Sequence, residues 1–307
     1  MKMNKNYISN LGKSLSILLI LILAYSGSVL AQANDAPAPA VSTTPIKNTF
    51  GSGTLIDNQT VMVAPKGTLE ADIQHRFGLM NTNNQKDLWG VYAPSNIRLG
   101  ISYVPVKDLA IGYGITKDKM LMDLNAKYAL FKQGKEGGMP VSVTLYGNVA
   151  VDTRDASQNN ARYEADRYSY FSQIMVARKI TKDFSLQVSG NLSWFNNVDA
   201  YVDNNTGEIK NAMNNYHFSF SCLGRYKISE KSAIIAGYDQ PLTQHTLNNP
   251  YPNVCFGFET TTSAHAFQIF ATTYKSIVPQ YNNMYNQNDF SKGYFMIGFN
   301  ITRLWSL

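Results

Sequence analysis

The chain has 307 residues, 44% of them hydrophobic, 12% aromatic and only 16% charged, which suits one large domain and is too apolar for disorder. Its 27 basic and 21 acidic side chains give a formal charge of +6, falling to +3 when Lys2, Lys5 and Lys13 of the N-terminal segment are set aside. No basic face is concentrated anywhere, which excludes nucleic acid as a partner; two cysteines and four histidines rule out a disulfide-rich scaffold and leave little for a zinc site.

Residues 1–31 read as a signal peptide. Three lysines and no acid precede an apolar run from Leu15 to Tyr25, and small residues lead to Ala31 before Gln32. No cysteine comes close behind, so lipid attachment at a mature N-terminal thiol is not expected. Residues 32–66 are expected to be a periplasmic N-terminal extension or linker, with Ala36-Pro37-Ala38-Pro39-Ala40 extended. Its second half, from Asn48 to Lys66, either tucks into the periplasmic mouth of the downstream domain or stays a flexible tail.

From Gly67 the period becomes two. Leu69, Ala71, Ile73, His75 and Phe77 alternate with Thr68, Glu70, Asp72, Gln74 and Arg76, the mark of a strand with one dry and one wet face. The pattern returns at Ile97–Tyr103, Ile111–Thr116, Met122–Leu130, Val141–Asp152, Tyr168–Val176, Phe184–Trp194 and Tyr216–Tyr226. Ser232–Gln240 is a less clear strand whose facing stays open. Val254–Glu259, His265–Thr273 and Tyr294–Arg303 complete a set of about twelve.

Connections after the even strands are mostly tight, as in Pro105-Val106-Lys107-Asp108 and Ile228-Ser229-Glu230-Lys231; those after the odd strands are mostly long and polar. That alternation distinguishes the periplasmic from the outer rim of bacterial outer-membrane barrels. The expected fold is therefore all-β: one antiparallel transmembrane barrel over residues 67–307, in contact with outer-membrane lipid. Its dry face carries two aromatic belts bracketing an aliphatic band. Tyr103, Tyr128, Phe184 and Tyr226 lie near one rim; Phe77, Tyr168, Tyr170, Trp194 and Tyr216 lie near the other. A soluble sandwich burying these rows against each other is the competing fold.

The wet parity forms a lumen charge cluster of Glu70, Asp72, Asp123, Asp152 and Glu259 with Arg76, Arg98, Lys127, Arg167 and Arg225. A selective pore favours a ring of one sign. Balanced charge points instead to ion pairs that narrow or plug the lumen, with a weakly selective pore still open as an alternative. Arg76 is expected to pair with acids on neighbouring strands rather than bind a headgroup.

Asn48–Gly67, His75-Arg76-Phe77-Gly78, Lys127-Tyr128, Pro140–Tyr146, His265-Ala266-Phe267-Gln268 and Gly298–Arg303, in this order and spacing, resemble a family of Bacteroidota β-barrel proteins known only as a domain of unknown function. The resemblance covers Asn48 to Arg303. It implies a Gram-negative outer-membrane barrel and no activity. One departure concerns the barrel-assembly machinery, a partner that reads a terminal aromatic residue in such proteins: here Trp305 is followed by Ser306-Leu307.

Little chemistry stands out. A Ser–His hydrolase needs the two groups within hydrogen-bond reach, yet His75 and His265 fall at opposite rims, and His217 shares a strand with Ser219 and Ser221, about 7 Å per alternate residue. Cys222 and Cys255 take opposite faces and are expected as free thiols. Asp199, Asp203 and Glu208 match no calcium loop. No catalytic, cofactor or metal residue is assigned. The expected function is passage or binding of a small solute in a narrow barrel; a closed structural or surface-interaction barrel is second, and a lipid-modifying hydrolase third.

Overall fold

The computed structural model describes residues 44–80, 88–135, 138–159 and 161–307. The expected signal peptide and residues 32–43 of the extension lie outside the described residues. In chain order the strands are Thr54–Leu55 (β1), Asn58–Gln59 (β2), Thr68–Met80 (β3), Asn96–Val106 (β4), Leu109–Thr116 (β5), Leu121–Phe131 (β6) and Ser142–Asp152 (β7). Then come Tyr168–Lys179 (β8), Phe184–Phe195 (β9), Ala200–Val202 (β10), Ile209–Asn211 (β11), Tyr216–Lys227 (β12), Ser232–Pro241 (β13), Asn253–Thr261 (β14), His265–Thr272 (β15) and Phe295–Ser306 (β16).

Twelve of these, β3 to β9 and β12 to β16, close into one antiparallel barrel. The seam joins β16 to β3 from Ser306↔Thr68 to Phe295↔Met80, so no barrel edge is left unpaired. Register carries the period-two pattern around the wall. Ile301, Ile73, Leu99, Ile115, Met122 and Val151 are successive cross-strand partners, and Ile73, Leu99, Ile115 and Met122 are all exposed on the outside. Their polar alternates, among them Gln74, Arg98, Thr116, Asp123 and Asp152, are buried inside. This inversion of a soluble protein's burial places the apolar row against a medium other than water.

The aromatic residues sit where the alternation puts them. Tyr170, Trp194 and Tyr216 pair across β8, β9 and β12 near the long-loop rim; Phe184 and Tyr226 pair near the tight-turn rim. Tyr103, Tyr128 and Tyr168 are likewise exposed, and Phe77 is half-buried against His75. On β13, whose facing the sequence left open, Ala233, Ile235 and Asp239 point inward and Ile234 outward.

Two segments fill the lumen. Residues 44–66 start at the β6–β7 turn, where the Ile46 N–H donates to Gln133 O, run inward to the β1–β2 hairpin, and come back out to β3. From the opposite rim, the β15–β16 connection sends in a helix of about two turns, Pro279–Tyr285, whose residues 280–284 are buried. Proline at its first turn suits a helix start. Among the described residues no helix is long and apolar enough to cross a membrane.

Candidate functional site

The hairpin tip is the most constrained point of the inserted segment. Leu55 pairs with Asn58, leaving Ile56 and Asp57 as a two-residue loop. Ile56 adopts φ +55°, a conformation that costs a β-branched residue of order 1–3 kcal/mol. The barrel wall holds it there: the Ile56 N–H donates to Gln268 Oε1 (3.0 Å), and Ile56 O accepts from Asn300 Nδ2 (2.8 Å) and Arg76 Nη2 (3.1 Å).

Around the tip the wall answers each polar group of the segment. Arg76 Nη2 meets Asp57 Oδ1 at 2.9 Å with both side chains fully buried, and Thr272 Oγ1 donates to the other carboxylate oxygen. Asn58 Nδ2 donates to both oxygens of the buried Asp239. Gln187 accepts from the Val61 N–H and donates to Gln59 O; Thr144 donates to Val61 O; Lys127 Nζ donates to Gly53 O at 2.7 Å. Between these polar anchors Phe50, Leu55, Ile56 and Val61 pack in one apolar cluster with lumen residues that include Phe171, Leu223, Ile235, Cys255 and Phe270. Each such side chain contributes about 1.5–3 kcal/mol on full burial.

The expected charge cluster is thus only partly a set of strand-to-strand pairs. Arg98 bridges Asp72 (3.0 Å) and Asp123 (2.9 Å), and Arg225 binds Glu259 at 2.6 Å. The Arg98 fork lies over Gly114, where any side chain would collide with its guanidinium. Lys127 and Glu70 flank Gly53 of the inserted segment. Arg76 departs from its expectation: its carboxylate is Asp57 of the segment, because the hairpin tip reaches Arg76 at the level where a strand neighbour would otherwise pair. Asp152 takes Arg154 at 2.6 Å. Arg167 sits in the 3-10 turn Glu164–Arg167 ahead of β8, at the long-loop mouth. Asp57 and Asp239 were missed, the first because it lies outside the periodic region, the second because β13 gave no facing. Gln187, Gln268 and Asn300 lay on the wet parity and were legible in principle.

The space left at mid-depth is small. One cavity of about 50 Å³ is lined by Met62, Glu70, Asp72, Arg98, Lys127 and Tyr146; another of about 20 Å³ lies between Asp57, Asn58, Gln74, Gln173 and Pro279. These have room for a few waters, not for a solute. Above them the helix is fixed by Gln280 Nε2 donating to Asn148 Oδ1 and by Ser219 Oγ donating to Asn283 Oδ1. Val278 and Met284 pack with Leu121, Ala150, Phe195 and Met213.

Outside the helix, the long loops form a polar pocket of about 740 Å³. Lys119, Asp152, Arg154, Asp166, Arg167 and Asp199 line it together with Phe195, Tyr281 and Tyr285. Burial pushes the Tyr281 and Tyr285 phenols above their ordinary range, so both stay neutral. The Asp152 hydrogen bonds raise Arg154 further.

The hydrolase reading finds no geometry here. His217 Nδ1 faces His245 Nε2 of the β13–β14 connection at 3.0 Å, while Asn191 Nδ2 donates to Ser219 and Ser221. His75 stacks on Phe299 outside the barrel, and His265 lies beside Arg303 at the other rim. Cys222 and Cys255 are both free. Asp203 pairs with Lys210 at 2.6 Å, and among the described residues no group of metal ligands forms.

A profile of the family described as a membrane bound beta barrel domain, DUF5777, matches residues 50–305. The chain belongs to that family. Its matched span takes in the inserted segment from Phe50 as well as the barrel, so the exposed apolar face is the membrane face. No curated protein matches the chain in sequence. Solved structures of similar architecture include a NanC porin, 12% identical over 78% of this chain and 99% of that one with a TM-score of 0.45. An outer membrane channel from Pseudomonas putida F1 is 10% identical over 80% and 97%, TM-score 0.45, and a KdgM porin 7% identical over 77% and 98%, TM-score 0.43. At these identities the likeness is one of barrel architecture.

Proposed function

We propose that this chain is a non-enzymatic outer-membrane channel for a small polar solute, closed by its own N-terminal segment and by the helix of the β15–β16 connection. The observation that carries the reading is the chemistry of the wall behind that segment. Arg76, Lys127, Thr144, Gln187, Asp239, Gln268 and Asn300 bond the segment, and every one of them is a group that water satisfies equally well. A wall built only to be filled has no need of such residues, because apolar packing of the same volume is at least as stable as buried charge. With the segment withdrawn toward the periplasm, the same wall would line a wet, charge-balanced passage.

The apolar cluster around Phe50, Leu55, Ile56 and Val61 favours a second reading, a permanently closed structural barrel whose long loops contact partners. Single-channel conductance in a planar bilayer separates the two. The intact chain should be silent or rarely open, and a chain lacking both residues 44–63 and the lumen helix 279–285 should conduct steadily. Silence from the deletion variant, once its folding is established by a heat-dependent gel shift, would favour the closed barrel.

A further inference from the structure

We infer that the long-loop pocket binds a small ring-shaped anion, of the sugar-acid or sugar-phosphate class. This assignment rests on the channel reading for its purpose, but not for its test. Five connections meet there: the β5–β6 turn with Lys119, the β7–β8 connection with Arg154 and Arg167, the β9–β10 connection with Asp199, the β13–β14 connection with Asn248, and the helix with Tyr281 and Tyr285. A volume of about 740 Å³ is within the range of small-molecule sites, roughly 300–1,000 Å³.

The wall chemistry sets the ligand class. Tyr281 and Tyr285 stand side by side with centroids 6.0 Å apart and 29° between planes, and Phe195 abuts both edge-on. Phe195 and Tyr281 are buried behind the pocket, and Tyr285, half-buried, is the ring that offers flat apolar surface to a flat partner. The charges are unequally committed. Asp152 is taken by Arg154. Asp166 accepts from the backbone N–H groups of Arg162 and Tyr163.

That leaves Asp199 against Lys119 and Arg167. Lys119 Nζ lies 5.8 Å from the centre of the Tyr281 ring. Arg167 Nη1 donates to the carbonyls of Asp152 and Arg154, which fixes the guanidinium plane, while its buried Nε has no hydrogen-bond partner. Glu164 stands 3.2 Å from that nitrogen without hydrogen-bond geometry and is 88% exposed. A solute carboxylate or phosphate that takes the place of Glu164, whose carboxylate is already largely in water, gains a charge-assisted hydrogen bond.

The test is calorimetric titration of the intact, detergent-folded chain with glucuronate, glucose 6-phosphate and glucose. Saturable binding of at least one anion, with glucose weaker by about tenfold or more, is expected; comparing the two anions distinguishes carboxylate from phosphate. Arg167→Gln should reduce anion binding to the level of glucose, and Tyr285→Leu should weaken all three. Glu164→Gln should tighten the anions several-fold, a gain that a merely structural role would not produce. No saturable binding up to about 10 mM, equal binding of neutral and anionic sugars, or an unchanged Arg167→Gln variant would overturn the assignment. Because no flux is measured, failure here leaves the channel reading standing, and a non-conducting deletion variant leaves this one standing.

Discussion

Removing the Asp57 carboxylate probes the closure at its tightest point. Arg76 and Asp57 are both fully buried, and Arg76 also lies 4.5 Å over the Phe270 ring. With Asp57→Ala the guanidinium keeps only neutral acceptors, His75 O, Asn300 Oδ1 and Ile56 O. Breaking a buried pair from one side costs about 3–5 kcal/mol. That cost falls on the inserted state alone, because in a water-filled lumen Arg76 is hydrated. At 1.4 kcal/mol per tenfold, the closed-to-open ratio should fall by roughly a hundred- to a few-thousandfold. Single-channel recording reads this directly as open probability. The double variant Asp57→Leu with Arg76→Met removes both charges and should restore most of the closure. Unchanged gating in Asp57→Ala, or double-variant openings as frequent as those of the single variant, would refute the argument.

The same geometry sets three further outcomes. Gly114→Ala drives a methyl group into the Arg98 fork and should destabilise the barrel by about 1–3 kcal/mol, seen as a lower temperature for the heat-dependent gel shift. In the barrel lacking both the segment and the lumen helix, Arg98→Gln strips Asp72 and Asp123 of their shared cation, and the reversal potential under a salt gradient should move toward cation preference. At the β13–β14 connection, burial holds His245 below its ordinary value, with Nδ1 accepting the Asn214 N–H and Nε2 facing His217. A depressed folded-state value means the anchoring is complete above about pH 6.5 and weakens as pH falls below it. Limited proteolysis of that connection should accelerate from pH 7.5 to 5, and His245→Ala should cleave quickly at both.

The barrel was legible because its two signals are local. Period two in residues such as Leu69 to Phe77 sets which side chains face lipid, and a one-residue slip would turn them all around, so strand positions and facing can be read without knowing the partner strand. The aromatic rows at Tyr170, Trp194 and Tyr216 obey the same parity. The interior was less legible, since the filling of a lumen depends on long-range contacts. Nothing in Phe50 to Val61 alternates, and Asp57 gives no sign of the Arg76 it meets. The β15–β16 connection shows only Pro279 as a helix start, so its inward turn was hidden as well. The pocket residues Lys119, Tyr281 and Tyr285 come from separate connections, and only closure of the barrel brings them together.

In the proposed channel residues 44–66 occupy the lumen and leave it on opening, and Cys255 is a built-in reporter of that occupancy. Cys255 is 1% exposed, in the same apolar cluster as Ile56 and Phe50. In a Cys222→Ser background, its modification by a small hydrophilic thiol reagent should be very slow for the intact barrel. It should be fast for Asp57→Ala and for the chain lacking residues 44–63. Equal, rapid modification of intact and deleted chains would contradict the account, because it would mean that the lumen was open all along.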